Sequence, residues 1–232
     1  MMRVALFSAL LLAALPICVL ANEVTCGFLL PQTSLDASGP ETKAARQLAE
    51  KLIAEFEPFD YVVAPSGSCA GMVKTHYRDL FPGEGAWLAR VEALAAKTWE
   101  LTDFLVNVVR IETLPGDFHG ALTYHDSCSG LRELGVKAQP RALLAKLPGV
   151  ELREMADCET CCGFGGTFSI KFGEISSAMA DAKCARIAES GADAVVLGDL
   201  GCMLNIEGRL RRRGDTRTQV LHIAELLSGR AD

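Results

Sequence analysis

Apolar residues recur at helical spacing through residues 41–56, where Ala45, Leu48, Ala49, Leu52, Ile53 and Phe56 form a stripe that ends before Pro58. This pattern predicts an amphipathic helix with the stripe turned inward. A second stretch, residues 174–188, places Ile175, Ala178, Met179, Ala182 and Ile187 on an inner face, and residues 140–147 open with proline, as the first turn of a helix can. Between them lie short β-branched runs. Strand, helix and strand in alternation predict an α/β fold with parallel sheets and crossover helices, and in such sheets sites form in the loops beyond the carboxyl ends of the strands.

The strand-like runs repeat. Asp60-Tyr61-Val62-Val63-Ala64-Pro65-Ser66-Gly67-Ser68-Cys69 overlies Asp193-Ala194-Val195-Val196-Leu197-Gly198-Asp199-Leu200-Gly201-Cys202 at an offset of 133 residues. Each is a short strand followed by a glycine-containing loop that delivers a cysteine. Near the same offset, Thr25-Cys26-Gly27-Phe28 overlies Cys161-Cys162-Gly163-Phe164, and Val4-Ala5-Leu6-Phe7-Ser8 resembles Leu122-Thr123-Tyr124-His125-Asp126. A period of about half the chain marks a duplicated supersecondary unit rather than a solenoid. It predicts two similar halves, residues 1–115 and 116–232, the first shortened. Cys128 and Cys162 are thirty-four positions apart, whereas the corresponding Leu10 and Cys26 are sixteen apart. The first half also has Leu10 or Ala9 where the second has Cys128, and Thr25 where it has Cys161.

The N-terminus reads in two ways. Arg3, the apolar residues 4–15, Pro16 and the small Ala21 have the layout of a secretory signal. The repeat favours the other reading, in which residues 4–7 are the buried first strand of a parallel sheet.

Composition narrows the chemistry. At 232 residues, half of them hydrophobic, the chain can bury a core without covalent staples, so its nine cysteines are not needed for stability. A net charge of -6 gives no footprint for nucleic acid. The most informative stretch is Cys161-Cys162-Gly163-Phe164-Gly165-Gly166. Adjacent cysteines bridge each other only through a strained ring, whereas thiolates gathered from distant loops hold iron-sulfur clusters. Cys128, Cys161, Cys162 and Cys202 are the expected ligand set. Gly163, Gly165 and Gly166 permit a turn whose amides converge on negative sulfur. Cys26 and Cys69 sit in matching loops of the incomplete half and are divided between ligand, redox thiol and no role. Cys18 and Cys184 read as small buried hydrophobes.

Rival readings use the same residues. Cys158-Glu159-Thr160-Cys161 has the spacing of a zinc knuckle or a dithiol redox pair. His125 and Asp126 precede Cys128 and fit either cluster tuning with proton coupling or an ordinary turn. Asp199 fits an oxygen ligand, an outer acceptor or a turn residue. Arg209, Arg211, Arg212 and Arg213 fit a docking patch or a solvated helix end. The sequence has no dinucleotide fingerprint, P-loop, flavin or haem signature, which favours electron transfer within a complex over unaided oxidation of an organic molecule.

Four segments carry a family resemblance: Tyr61-Val62-Val63-Ala64-Pro65-Ser66-Gly67-Ser68-Cys69-Ala70-Gly71-Met72, Tyr124-His125-Asp126-Ser127-Cys128, Cys161-Cys162-Gly163-Phe164-Gly165-Gly166-Thr167-Phe168, and Leu200-Gly201-Cys202-Met203-Leu204-Asn205-Ile206. From about Pro40 onward the chain resembles the cysteine-rich Fe-S oxidoreductases of the lactate-utilisation type. These are related through the Cys-Cys-Gly domain to heterodisulfide reductase and to the Fe-S subunit of glycolate oxidase. The resemblance implies a cytoplasmic protein of two Cys-Cys-Gly halves with an iron-sulfur cluster of the 4Fe-4S kind. It also implies other subunits of a complex oxidising L-lactate to pyruvate, a further Fe-S subunit among them, and no integral membrane span. The sequence departs from the pattern at Ala9-Leu10 and at Thr25-Cys26-Gly27. Ser66 and Asp199 also stand where the heterodisulfide reductase relatives begin a Cys-x-x-Cys.

Overall fold

The computed structural model describes residues 4–6 and 40–229. Val4–Leu6 of the signal-like stretch form a strand, while its residues 7–21, with Cys18 among them, and Cys26 lie outside the described residues. In chain order the elements are β1 (Val4–Leu6), α1 (Pro40–Phe56), β2 (Tyr61–Ala64), α2 (Gly67–Gly71), a π turn and a 3-10 turn over residues 72–80, α3 (Gly85–Lys97), β3 (Thr98–Glu100) and α4 (Leu101–Asp103). A π turn at Phe104–Val109 follows, then β4 (Gly120–His125), α5 (Cys128–Arg132), α6 (Ala138–Leu144), β5 (Val150–Leu152), α7 (Thr167–Lys171), α8 (Gly173–Ser190), β6 (Ala194–Leu197), α9 (Leu200–Arg212), β7 (Gln219–His222) and α10 (Ile223–Ser228).

The chain divides into two units, one of Met1–Ala64 with Cys69–Trp99 and one of Pro65–Ser68 with Glu100–Asp232. The first contains a sheet ordered β1-β2-β3, and the second a sheet ordered β5-β4-β6-β7 whose pairings are all parallel. β6 is buried at every position and β4 at every position but its first. Continuous apolar runs of this kind are what a parallel strand covered on both faces requires. Among the described residues no helix is long and apolar enough to cross a membrane.

The duplication read from the sequence is realised in register. β2 and β6 are displaced by the expected 133 residues, and so are the starts of α2 and α9. Val4 pairs with Tyr61, and Leu122 pairs with Ala194, so the faint match between residues 4–8 and 122–126 puts equivalent residues at equivalent rungs. One detail differs from expectation: Cys69 and Cys202 are each the third residue of a helix rather than loop residues.

The helices formed where expected, but their faces need correction. In α1 the stripe is buried except Leu48, which is 48% exposed. At 100° per residue it lies about 60° from Ala45, on the side away from Ile53, and so falls at the rim. α8 departs further. Ile175 is 55% exposed, Ala178 and Ala182 face solvent, and the buried residues are Ser176, Ala180, Lys183, Cys184 and Ile187. That face is rotated by about 100°, one residue, from the apolar stripe. Ser176 and Lys183 turn inward because they hydrogen-bond carbonyls of the cysteine loop, which period alone does not encode. The arginine cluster closes α9 as a helix end: Arg209 and Arg213 pair with Asp181, and Arg211 donates to the carbonyls of Asp215 and Thr218.

Candidate metal centre

β4 and β6 end side by side, with His125 opposite Leu197 in the ladder, so the segments that follow them leave from the same edge of the sheet. After β4 the Ser127 hydroxyl caps α5 by accepting from the Gly130 amide at 3.3 Å, which fixes Cys128 as the first helical residue. After β6 the Asp199 carboxylate caps α9 by accepting from the Gly201 amide at 3.3 Å, which sets Cys202 in the first turn. Residues 153–166 bring Cys161 and Cys162. This loop is pinned by Met155 N to Thr123 Oγ1 at 3.0 Å and by Asp126 N to the Cys158 carbonyl at 3.3 Å.

Two helices hold the Cys-Cys-Gly turn from behind. Ser176 Oγ donates to the Gly163 carbonyl at 2.7 Å from α8, and Asn205 Nδ2 donates to the Cys162 carbonyl at 2.9 Å from α9. Lys183, 1% exposed, donates to the carbonyls of Asp157 at 2.8 Å and Cys158 at 3.2 Å. Burial pulls its ammonium below the usual lysine range. Gly163 has φ +87, and a Cβ there would lie 2.6 Å from the Ser176 carbonyl oxygen. No other residue fits that turn without a shift.

The four sulfurs predicted as ligands are neighbours in succession. Cys128 and Cys161, Cys161 and Cys162, and Cys162 and Cys202 lie close enough for one thiol to shift the ionisation of the other, and the Cys162 and Cys202 sulfurs are within 4.8 Å. Burial deepens along the run, from exposed Cys128 through half-buried Cys161 to buried Cys162 and Cys202. Crowding has the expected electrostatic result. The neighbouring Cys161 thiol, joined by burial, pushes the Cys128 thiol well above its usual range. For Cys162 the Cys161 thiol works downward, but the Cys202 thiol and burial prevail and push that thiol up as well. Cys128 and Cys162 therefore stay protonated until a cation replaces their protons.

Backbone amides also meet the sulfurs. Gly163 N donates to Cys161 Sγ at 3.4 Å, and the Phe164 and Ser129 amides lie where they lower the pKa of Cys162 and Cys128 against the upward push. Gly165 and Gly166 have φ +52 and +60, conformations glycine enters freely, and their carbonyls accept from the Phe168 and Ser169 amides at the start of α7. Phe164 closes the turn by laying its ring where Gly201 lacks a side chain, 2.5 Å from a Cβ placed there.

His125 completes the inner end. It is 1% exposed, and one of its ring nitrogens with the sulfurs of Cys162 and Cys202 forms a group in which all three atoms lie within 4.8 Å of one another. Neither ring nitrogen makes a hydrogen bond. A buried polar group left so costs about 1–3 kcal/mol. Burial, followed by the charge of Lys183, drives its pKa down to about 3; the Cys158 carbonyl works the other way without forming a bond of acceptable geometry. The imidazole is therefore neutral, the form that binds metals.

The remaining candidates have other employment. Asp199 accepts from Ser66 Oγ at 3.1 Å and Ser68 N at 3.0 Å as well as from Gly201, so its oxygens anchor loop 65–68 and cap a helix. Ser66 and Asp199 are themselves equivalents under the repeat. Asp126 is held bidentately by Arg141 at 2.8 and 2.9 Å, and the Cys158 thiol faces the same pair, with Arg141 Nη2 3.8 Å away. Cys184 is buried among apolar residues. Cys69 lies half-buried in the first unit, and Cys26 is outside the described residues. An open cleft of about 640 Å³ is lined by Arg132, Cys158, Cys161 and Met179, which leaves Cys161 on the solvent side of the group. Sequence reasoning missed Lys183, Ser176, Asn205 and Arg141. Only Asn205, one turn beyond Cys202, carried a positional hint.

Sulfur and imidazole donors suit a soft or borderline metal and not calcium or magnesium. Four contiguous thiols, amides aimed at sulfur and orphaned imidazole nitrogens at the inner end fit a metal or iron-sulfur centre.

Residues 122–207 match the cysteine-rich domain family abbreviated CCG. Over 188 residues the chain is 47% identical to lactate utilization protein A of Geobacillus kaustophilus (strain HTA426), covering 81% of this chain and 78% of that protein. The Lysinibacillus sphaericus (strain C3-41) protein of the same name is 43% identical over 188 residues, covering 81% and 82%. Lactate utilization protein A 2 of Bacillus cereus (strain Q1) is 42% identical over 184 residues, covering 79% and 76%. Identity of this extent, sustained over most of the chain and most of each relative, means that the chain belongs to the family of the lactate utilization A proteins.

Proposed function

We propose that this chain is the iron-sulfur electron-transfer subunit of a cytoplasmic system that oxidises L-lactate, or a related 2-hydroxy acid, to the 2-oxo acid. The observation that carries the reading is the gathering of Cys128, Cys161, Cys162 and Cys202 as successive neighbours at one end of the second sheet. The names of the relatives supply the substrate class. Those four cysteines would hold a cluster of the 4Fe-4S kind. Bound there, it would supply one-electron storage at a potential set by burial and by hydrogen bonds to sulfur.

The chain's own residues do the rest. The Gly163 amide, hydrogen-bonded to Cys161 Sγ, favours negative sulfur, and Gly165 and Gly166 let the loop turn into α7. Cys202 sits in the first turn of a thirteen-residue helix, where the positive end of the helix dipole works against the burial that raises its thiol's pKa. The substrate's carbon chemistry falls to other subunits of the complex, a further Fe-S subunit among them, because this chain carries no hydride-handling signature. A zinc-stabilised interaction protein is the second reading, favoured by the His125, Cys162 and Cys202 group, a nitrogen and sulfur set that also suits zinc.

Anaerobic purification followed by iron, sulfide and zinc analysis separates the two. Iron with matching sulfide is the expected outcome. Zinc without iron would establish the second reading in its place.

A further inference from the structure

We propose that His125 is itself a ligand of the centre, so that the metal is held by a mixed nitrogen and sulfur set rather than by cysteine alone. This rests on the reading of a metal centre at these residues and adds to it one specific bond.

Three observations meet at this side chain. His125 is the last residue of β4, a strand buried from its second position onward, so the backbone directs the imidazole from a fixed rung of the sheet, paired with Leu197. A ring nitrogen and the sulfurs of Cys162 and Cys202 lie mutually within 4.8 Å, all three residues buried. Both ring nitrogens are buried and unpartnered, in a second unit whose other buried polar side-chain atoms are satisfied among the described residues.

Ordinary structural roles do not account for that combination. A histidine kept for packing would find an acceptor for its N–H, as buried polar groups do. A histidine kept to pair with charge would face a carboxylate, but Asp126, the neighbouring one, is taken up by Arg141. A buried, unpartnered imidazole beside two buried thiols is a donor arrangement that a borderline metal completes.

The set would then be graded by burial. Cys128 and Cys161 form its outer side toward solvent, and Cys162, Cys202 and His125 form its inner side.

The test uses the full chain, purified anaerobically and reconstituted with iron and sulfide, in two preparations: one with natural histidine and one grown on 15N-histidine. Pulsed electron paramagnetic resonance of the paramagnetic state reads the nitrogen coupling directly, without any assay of activity. The expected result is a strong coupling that changes from the 14N to the 15N pattern on labelling and is lost in His125→Ala and His125→Cys, with iron retained in the cysteine variant. An iron-loaded protein whose spectrum is indifferent to the label overturns the histidine bond and leaves the iron-sulfur reading standing. If the chain takes up zinc and no iron, the iron-sulfur reading fails, and zinc X-ray absorption decides the bond by presence or absence of imidazole scattering. A chain that takes up neither metal overturns both. The label comparison is made on the unsubstituted protein, so misfolding of a variant does not blunt it.

Discussion

Arg141 shows what single residues contribute here. It holds the fully buried Asp126 carboxylate with two hydrogen bonds, reaches Glu154, and lies over the Tyr124 ring at 5.2 Å. Burial alone would lower its pKa, but its bonds to Asp126 and Glu154 raise it instead. Removing one partner of a buried pair strands the other, at roughly 3–5 kcal/mol. Arg141→Met should therefore lower the stability of the metal-free protein by about that amount in denaturant unfolding. A change within about 0.5 kcal/mol, as for ordinary surface substitutions, would show that Asp126 is satisfied without it. The cysteines were legible in the sequence because sulfur is scarce and its chemistry narrow. Arg141, Lys183, Ser176 and Asn205 were not, because each satisfies a carboxylate or carbonyl that becomes its neighbour only when the chain has folded.

At the scale of elements, the junction of β3 and α4 carries a buried carboxyl. Glu100 caps α4 by accepting from Thr102 N at 2.7 Å and Asp103 N at 3.0 Å, yet burial outweighs those bonds and raises its pKa from 4.5 to about 7. A carboxyl whose folded pKa is raised binds its proton more tightly in the folded state. The stability this lends is full below pH 4.5 and is lost as the pH rises to about 7. Glu100→Gln keeps the accepting oxygen and removes the titration. Its stability relative to the unsubstituted protein should thus improve between these pH values, by roughly 3 kcal/mol at most. A difference that stays flat across the window would contradict the assignment. Elements were largely readable: strands β2 and β6 and helices α1 and α8 follow from β-branched runs and helical period. The buried face of α8 was not, because Ile175 faces solvent while Lys183 and Ser176 serve the cysteine loop, and hydrophobic period cannot register a polar residue's inward task.

Across the whole molecule, the duplication is the organising fact, and it was legible because a 133-residue offset matched both strands and the helices that follow them. The second unit turned that plan into a site by placing cysteines after β4, after β6 and in the loop before α7. Sulfur spacing foretold the grouping but not its order, in which Cys128 stands outermost and His125 joins Cys162 and Cys202 at the inner end. The comparison of Cys162→Ser with Cys184→Ser weighs the central claim most directly, since both thiols are buried and only Cys162 belongs to the sulfur run. Iron content and visible absorption of the two variants, purified anaerobically beside the unsubstituted protein, are the measurement. Cys162→Ser is predicted to lose both, while Cys184→Ser keeps both and gives up only about 1 kcal/mol of stability. Iron and absorption undiminished in Cys162→Ser would contradict a metal centre held by these four cysteines.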